Sequence, residues 1–280
     1  MSLAEVAHTP WELRELLGGD TPGLVPTMGA LHEGHLTLIR RSAAENARTV
    51  VSIFVNPLQF NQADDLAAYP RTFDQDHWNA SEAGATIVFA PSEAVLYPEG
   101  FATTVTVSGV TDRWEGAARP GHFAGVTTVV TKLFTIVRPA NAYFGEKDFQ
   151  QLVVIRRLHA DLNLSGQVIG VPTVRDADGL ALSSRNARLS PEERQRAALI
   201  PRALMLMRDR ASTGERAAAE LLALGREVLA KEPALAIDYL AIVNPDTLEP
   251  VDEVLPGTRA LLAVRAGATR LLDNVALLEE

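Results

Sequence analysis

GLVPTMGALHEGH, residues 23–35, is the stretch on which the reading of this chain turns. It begins as a short apolar strand at Gly23–Pro26 and passes through the turn Thr27-Met28-Gly29. It then runs into a helix expected from about Gly34 to Ala47. Backbone N–H groups at a helix start lack partners within the helix, and the helix dipole places partial positive charge there. Gly29 carries no side chain, so a ligand can come close to the backbone. His32 and His35 are three residues apart and share one face of the helix. Two imidazoles placed this way suit the phosphates of a nucleotide, and suit still better the charge that builds up when a phosphate is attacked. A histidine pair at this spacing also occurs as ordinary surface or core decoration, or in a zinc site, although the pattern here is not HExxH. Its position after the first strand of an alternating fold favours the nucleotide, because such folds bind ligands there.

Outward from this motif, strands and helices alternate. Pro10–Gly19 reads as an opening helix, with Pro10 in its first turn and Gly18-Gly19 ending it. TVVSIFVN (49–56) and ATIVFAP (85–91) are continuous apolar runs of strand length, as in a buried parallel sheet. A helical segment holding Asp74-Gln75-Asp76 lies between them. TTVTVSG (103–109) alternates and reads as an edge strand or side hairpin. HFAGVTTVVTKLFTIVRP (122–139) has the length of a helix despite its Val and Thr content. NAYFGE (141–146) reads as strand and loop, 148–163 as an amphipathic helix and GQVIGVPTV (166–174) as a last strand. The pattern predicts an α/β fold: a Rossmann-like, doubly wound parallel sheet over residues 1–174.

The texture changes after residue 174. A polar loop at 175–188 leads to Ser190-Pro191-Glu192-Glu193, which has the form of a capping box with Pro at the first helical position. Alanine-rich helices are expected over 191–211 and 214–231, and strands at 237–244 and 259–267. Residues 175–280 are therefore expected to form a second, smaller α+β domain.

Two further stretches carry chemistry. GEKDFQQ (145–151) lies at another strand-to-helix junction. Lys147 offers a cation for phosphate oxygens, Asp148 can accept from ribose hydroxyls, and Gln151 can bond a neutral hydroxyl or a carboxylate edge. Asp148 is equally suited to a plain helix cap. LALSSRN (180–186) presents Ser183, Ser184 and Arg185 as donors for pyrophosphate, with Arg185 as a bidentate clamp. The same loop reads as a solvated linker, or as a lid that closes over substrate. Asn56 and Gln59 follow the 49–56 strand at the same end of the sheet as His32. Asp76 is a candidate Mg²⁺ ligand, since that ion takes few carboxylates and draws on phosphate oxygens for the rest. Arg119 and His122 add positive charge, whereas Arg40 and Arg41 read as a solvated helix face.

Bulk composition narrows the function classes. Hydrophobic residues make up 47% and charged residues 22% of the 280, a globular balance. There is no cysteine, which excludes disulfides, thiolate catalysis and cysteine-bound zinc and fits a cytoplasmic setting. No apolar run reaches the ~18–20 residues that cross a bilayer, and the N-terminus lacks the pattern of a secretion signal. A net charge of −9 disfavours nucleic acid as a partner and obliges any anionic substrate to find a local positive cluster.

PTMGALHEGH, FVNPLQF, YPRT followed by Asp76, RPGHFAGV, FGEKDFQQ and DGLALSSRN, in this order over most of residues 24–188, resemble the pantothenate synthetase family. The HxGH element alone marks the wider nucleotidyltransferase superfamily. The resemblance implies ATP, Mg²⁺, pantoate and β-alanine as the small molecules handled, through a pantoyl adenylate, and a homodimer. It implies that His32 and His35 meet the phosphates and stabilise the first transition state. It also implies that Lys147, Ser183, Ser184 and Arg185 hold phosphates, that Gly145 and Asp148 meet the ribose, and that Met28 lies where ATP and pantoate meet. Gln59 and Gln151 would complete the pantoate site, with Asn56 near the path of the amine. The sequence departs from the family pattern at Leu182, often Met, and at Gln75, acidic in some relatives, which leaves Asp76 alone as the metal candidate. Two other readings remain open: another HxGH-class nucleotidyltransferase with a phosphorylated acceptor, and a non-catalytic nucleotide-binding protein on the same fold.

Overall fold

The computed structural model describes residues 3–279. They divide into two compact units. The first runs to Pro172 but leaves out Lys147–Phe149, and the second comprises Lys147–Phe149 and the chain from Thr173 onward.

The first unit holds strands β1 (Glu5–Ala7), β2 (Gly23–Thr27), β3 (Thr49–Ile53), β4 (Ile87–Phe89), β5 (Asn141–Gly145) and β6 (Gln167–Val171). Its helices are α1 (Pro10–Leu17), α2 (Glu33–Glu45), α3 (Ala63–Ala67), α4 (Phe73–Glu82), α5 (Glu93–Leu96), α6 (Glu115–Ala118), α7 (His122–Val137) and α8 (Phe149–Asp161). The sheet order is β1-β4-β3-β2-β5-β6, with every pairing parallel. Both faces of such a sheet are covered, which is why its strands read as unbroken apolar runs. Successive residues then serve opposite faces. Leu24, Val50, Ile87 and Phe144 pack with Leu13, Phe134 and Ile155 of α1, α7 and α8. Their neighbours Val25, Val51, Val88 and Tyr143 pack with Leu38, Ile39 and Ala80 of α2 and α4.

The chain builds β2, β3 and β4 outward in one direction, and β5 and β6 in the other. Reversal therefore falls between β2 and β5. Their ladder spans only Gly23↔Asn141 and Leu24↔Ala142, whereas β2 and β3 pair over five residues. The two strands part toward their carboxyl ends and leave a crevice where this fold class binds ligands.

Local expectations met the structure unevenly. Thr9 and Glu12 close a capping box on α1, and Gly18 ends it in the left-handed conformation at φ 58°. β1 escaped the sequence reading because three residues give no readable run. The 122–139 segment is one helix, and its threonines bond back to the preceding turn: Thr127 to Phe123 O (2.7 Å), Thr128 to Ala124 O (2.6 Å) and Thr131 to Thr127 O (2.7 Å). Residues 103–109, expected as an edge strand or hairpin, form neither. Thr128 Oγ1 accepts from Val105 N–H (3.0 Å), and the single Thr127 hydroxyl proton is shared between Phe123 C=O and Val105 C=O (2.5 Å), so threonines of α7 take the place of a neighbouring strand.

The second unit packs α9 (Pro191–Ala197), α10 (Leu199–Ser212) and α11 (Ala218–Leu229) with an antiparallel sheet of β7 (Leu235–Val243), β8 (Arg259–Ala266) and β9 (Thr269–Ala276). Ser190 and Glu193 form the expected capping box. The helix expected over 191–211 is two helices. Pro201 cannot donate to Ala197 C=O and its ring crowds that carbonyl, so α9 stops at Ala197. β9 was not expected. It follows β8 through the two-residue loop Gly267-Ala268, with Gly267 at φ 58°. Among the described residues no helix is long and apolar enough to cross a membrane.

Arg175 grips Asp273 of β9 with both guanidinium nitrogens, at 2.7 and 2.9 Å, and also donates to Gly179 O and Asn274 O. The Asp273 side chain is only 1% exposed. Arg175→Ala strands that carboxylate and is expected to destabilise the second unit by about 3 kcal/mol. Urea unfolding checks this, and the paired change Arg175→Met with Asp273→Leu should recover most of the loss.

Candidate active site

β2 ends at Thr27, whose hydroxyl donates to Ser52 O (2.7 Å) and accepts from Gly29 N–H (3.2 Å). The turn that follows holds Gly29 and Ala30 both in the left-handed region, at φ 82° and 51°. Asp76, 2% exposed on α4, closes this turn. Its Oδ1 accepts from Leu31 N–H (2.7 Å), and its Oδ2 accepts from Ala30 N–H (2.9 Å) and Thr72 Oγ1 (3.0 Å).

The chain leaves the turn with His32 as the N-cap residue of α2, in extended conformation at φ −125°, ψ 173°. His35 lies one turn on, and the two rings sit 4.1 Å apart between centroids. His32 N–H donates to His35 Nδ1 at 3.4 Å. A backbone N–H can only donate, so Nδ1 bears the lone pair and the neutral ring carries its proton on Nε2. His35 is thereby set as an Nε2–H donor at the amino end of a 13-residue helix.

Beyond β3, Asn56 opens a short 3₁₀ turn at Pro57–Gln59. Asn56 is 1% exposed and its amide is fully used. Oδ1 accepts from Tyr97 Oη (2.8 Å) and Leu58 N–H (3.4 Å), while Nδ2 donates to Gln59 Oε1 (3.0 Å) and Gly125 O (3.1 Å). The two backbone partners fix which end of the amide faces which way. Burial, helped by Glu93, pushes the Tyr97 phenol up, so it stays a donor. Gln59 Oε1 is held by Asn56, and its Nε2 donates to Met28 Sδ at 3.0 Å. The Gln59 carbonyl accepts from His122 Nδ1 (2.9 Å) and Arg119 (3.2 Å). Gln59 therefore joins Asn56 to Met28, and Arg119 and His122 serve to hold the Gln59 backbone. Gly125 permits this contact, because a side chain there would stand 2.3 Å from Leu58 O. A cavity of about 310 Å³ borders Met28, Gly29, Phe54 and Asp76.

The neighbouring glutamines of α8 differ. Gln150 is buried and braces the 110–115 loop, accepting from Glu115 N–H and donating to Val110 O and Arg113 O, each at 2.9 Å. Gln151 is half-buried. At Gly145, which ends β5, an added side chain would meet nothing within 4 Å.

Within the second unit, Lys147 Nζ lies 3.4 Å from Asp148 Oδ1. Asn274 of β9 donates to Lys147 O (2.9 Å) and accepts from Arg259 (3.0 Å), whose guanidinium lies 4.0 Å from the Phe149 ring centroid. These contacts tie the Lys147 segment to β8 and β9. Ser183 Oγ accepts from Arg185 N–H (3.3 Å), and Asn186 donates to Ala181 O (3.0 Å), shaping a one-turn 3₁₀ helix at Ser184–Arg188. Ser183, Ser184 and Arg185 are all half-buried. Among the described residues no group of three or more His, Asp or Glu is placed to hold a metal ion. Tyr97, Thr72 and Asn274 were missed as supports, because nothing local marks a residue that acts on a distant partner.

The doubly wound sheet, the crevice at its reversal point and the paired imidazoles at a helix start define the class: a Rossmann-like α/β protein carrying an HxGH motif. The pattern of the pantoate-beta-alanine ligase family matches residues 3–276. The pantothenate synthetase of Deinococcus radiodurans is 56% identical over 262 residues, covering 91% of this chain and 93% of that protein. The crystal structure of pantothenate synthetase from Thermus thermophilus is similar at TM-score 0.95 and 50% identity, covering 98% of this chain and 99% of that one. A pantoate-beta-alanine ligase from Francisella tularensis, solved in complex with beta-gamma ATP and β-alanine, is similar at TM-score 0.80 and 32% identity, covering 98% of each. The chain belongs to the pantoate-β-alanine ligase family.

Asn56→Ala leaves the Tyr97 hydroxyl and the Gly125 carbonyl without their partner. A loss of about 1–3 kcal/mol in stability is expected, read from thermal or urea unfolding.

Proposed function

We propose that this enzyme joins pantoate to β-alanine in two steps driven by ATP. A pantoate carboxylate oxygen attacks the α-phosphorus, the bond to the β-phosphate oxygen breaks, and pyrophosphate leaves. The β-alanine amine then attacks the acyl carbon of pantoyl adenylate, AMP departs with the C–O bonding pair, and the amine loses a proton. Neither step needs a protein nucleophile, which agrees with chemistry based on positioning and electrostatics. The observation that carries this reading is the joining of Gln59 to Met28 on the turn that presents His32 and His35. A neutral amide donor for a hydroxylated acid thus shares its support with donors for a phosphate.

His32 and His35 stabilise charge on the α-phosphate as it is attacked, His35 through Nε2–H. Gln59, its amide polarity set by Asn56, donates to pantoate beside Met28, with Gln151 as a second contact. Asn56 is buried behind Gln59, so it acts on the substrate through that side chain rather than by touching the amine. Lys147, Ser183, Ser184 and Arg185 bind phosphates. Asp148 takes the ribose, and the open space over Gly145 suits a sugar close to the backbone. In this reading residues 1–174 are the ATP- and pantoate-binding domain and 175–280 the lid domain, with Lys147 tied to the latter's strands. ATP enters as its magnesium complex, the ion neutralising phosphate charge and drawing its ligands mainly from phosphate oxygens and water. Asp76 would have at most one acceptor position of Oδ1 left for that ion, since Leu31 N–H takes the other and Ala30 N–H and Thr72 Oγ1 occupy Oδ2. A cytoplasmic homodimer follows from the family resemblance.

The test is pyrophosphate release from ATP and Mg²⁺ with pantoate alone, then with β-alanine added. Release that requires pantoate is expected, with AMP and pantothenate appearing only after β-alanine. Folded protein that binds ATP but shows no pantoate dependence overturns the proposal. His35→Ala is expected to slow adenylate formation by about 100-fold with a much smaller change in ATP affinity. Equal losses in both would make His35 a uniform binding group. ATP and pantoate together are also expected to protect the 176–188 loop from proteolysis.

A further inference from the structure

The turn between β2 and α2 presents two successive backbone N–H groups, those of Ala30 and Leu31, to one carboxylate. Successive N–H groups of this kind form an anion-binding concavity. Here the anion is a side chain of the protein itself, Asp76, which is 2% exposed and anchored a third time by Thr72 Oγ1. The backbone on either side is unusual. Ala30 is a non-glycine residue at φ 51°, a region that L residues adopt only when the surroundings enforce it. Gly29 stands so close that a side chain there would lie 2.9 Å from Asp76 Oδ2. The turn has a working group at each end. Met28, before it, meets the amide of Gln59 at 3.0 Å, and His32, after it, opens α2 and bonds His35.

The geometry points to Asp76 as a positioning residue: its carboxylate locks the Met28–Leu31 turn and thereby sets Met28 against Gln59 and His32 against His35. The inference rests on the roles proposed above for those residues. It gives Asp76 a different task from the metal ligation expected from sequence, and it places the phosphates on the imidazoles rather than on the Ala30 and Leu31 amides. An ionised carboxylate can accept at both oxygens. An amide cannot, because its nitrogen would face an N–H donor.

Asp76→Asn tests this in the full-length enzyme, with Thr72→Val as a milder variant that removes one anchor of three and Thr72→Ser as the conservative control. The expected result is a fall in the rate of pantoate-dependent pyrophosphate release of at least tenfold in Asp76→Asn. A smaller fall is expected in Thr72→Val and recovery in Thr72→Ser. The Mg²⁺ concentration for half-maximal rate and the affinity for ATP should stay within about twofold. Imidazole ¹⁵N spectra of the free protein supply a readout independent of turnover. His35 should show the single Nε2–H tautomer in wild type and lose it in Asp76→Asn. If excess Mg²⁺ restores Asp76→Asn, the residue is a metal ligand and the inference is overturned. Unchanged rates and unchanged His35 spectra in both Asp76→Asn and Thr72→Val overturn it equally. Should Asp76→Asn fail to fold, the Thr72 pair decides, since loss in Val and recovery in Ser are required. Absence of pantoate dependence in wild type counts against the proposed function instead, while the His35 spectra still report on the turn.

Discussion

Everything that gives this protein a site depends on a single topological constraint, the reversal of strand order between β2 and β5. A parallel sheet must have both faces covered, so its strands are connected through helices that run back across it. Where the winding changes direction, the connections leaving two adjacent strands go to opposite sides. No helix closes the gap between them. The short β2–β5 ladder is the local sign of that parting. The turn after β2 leaves the sheet at this edge. The apolar core below it is held on two faces by Leu, Ile, Val and Phe, each contributing about 1.5–3 kcal/mol on burial. That rigidity lets a turn with two left-handed residues persist above it.

The site groups are supported in a consistent manner. Gln59, His35 and Lys147 are each held by a partner group that meets no ligand itself. Gln59 is oriented by Asn56, and Asn56 by Tyr97, Leu58 and Gly125. His35 is oriented by the His32 amide, and that amide by the turn that Asp76 closes. Lys147 is held through its carbonyl by Asn274. This bears on the protein's acidity. A chain with a net charge of −9 cannot attract ATP or a carboxylate by its general field. It must rely on donors aimed in advance, at low cost in reorganisation when charge develops. Arg119 and His122, which sequence alone suggested as added positive charge, are instead spent on the carbonyl of Gln59.

The amino-acid sequence by itself determined the fold class and the motifs that mark the family. Apolar runs at 49–56 and 85–91, the capping box at Ser190 and the GLVPTMGALHEGH stretch depend on neighbours within a few residues, so periodicity and turn chemistry reveal them. The same locality explains what was misjudged. The 103–109 segment alternates like a strand but has threonines of α7 in place of a partner strand, and a helix that reads as continuous over 191–211 is broken by Pro201. Tertiary structure alone decided which polar residues are bonded to one another. Asp76 reaches Ala30 across 46 positions, Asn56 reaches Gly125 across 69, and Asn274 reaches Lys147 across 127. A hydrogen bond depends on position in space, and separation along the chain carries no trace of it until the core has brought the two ends together.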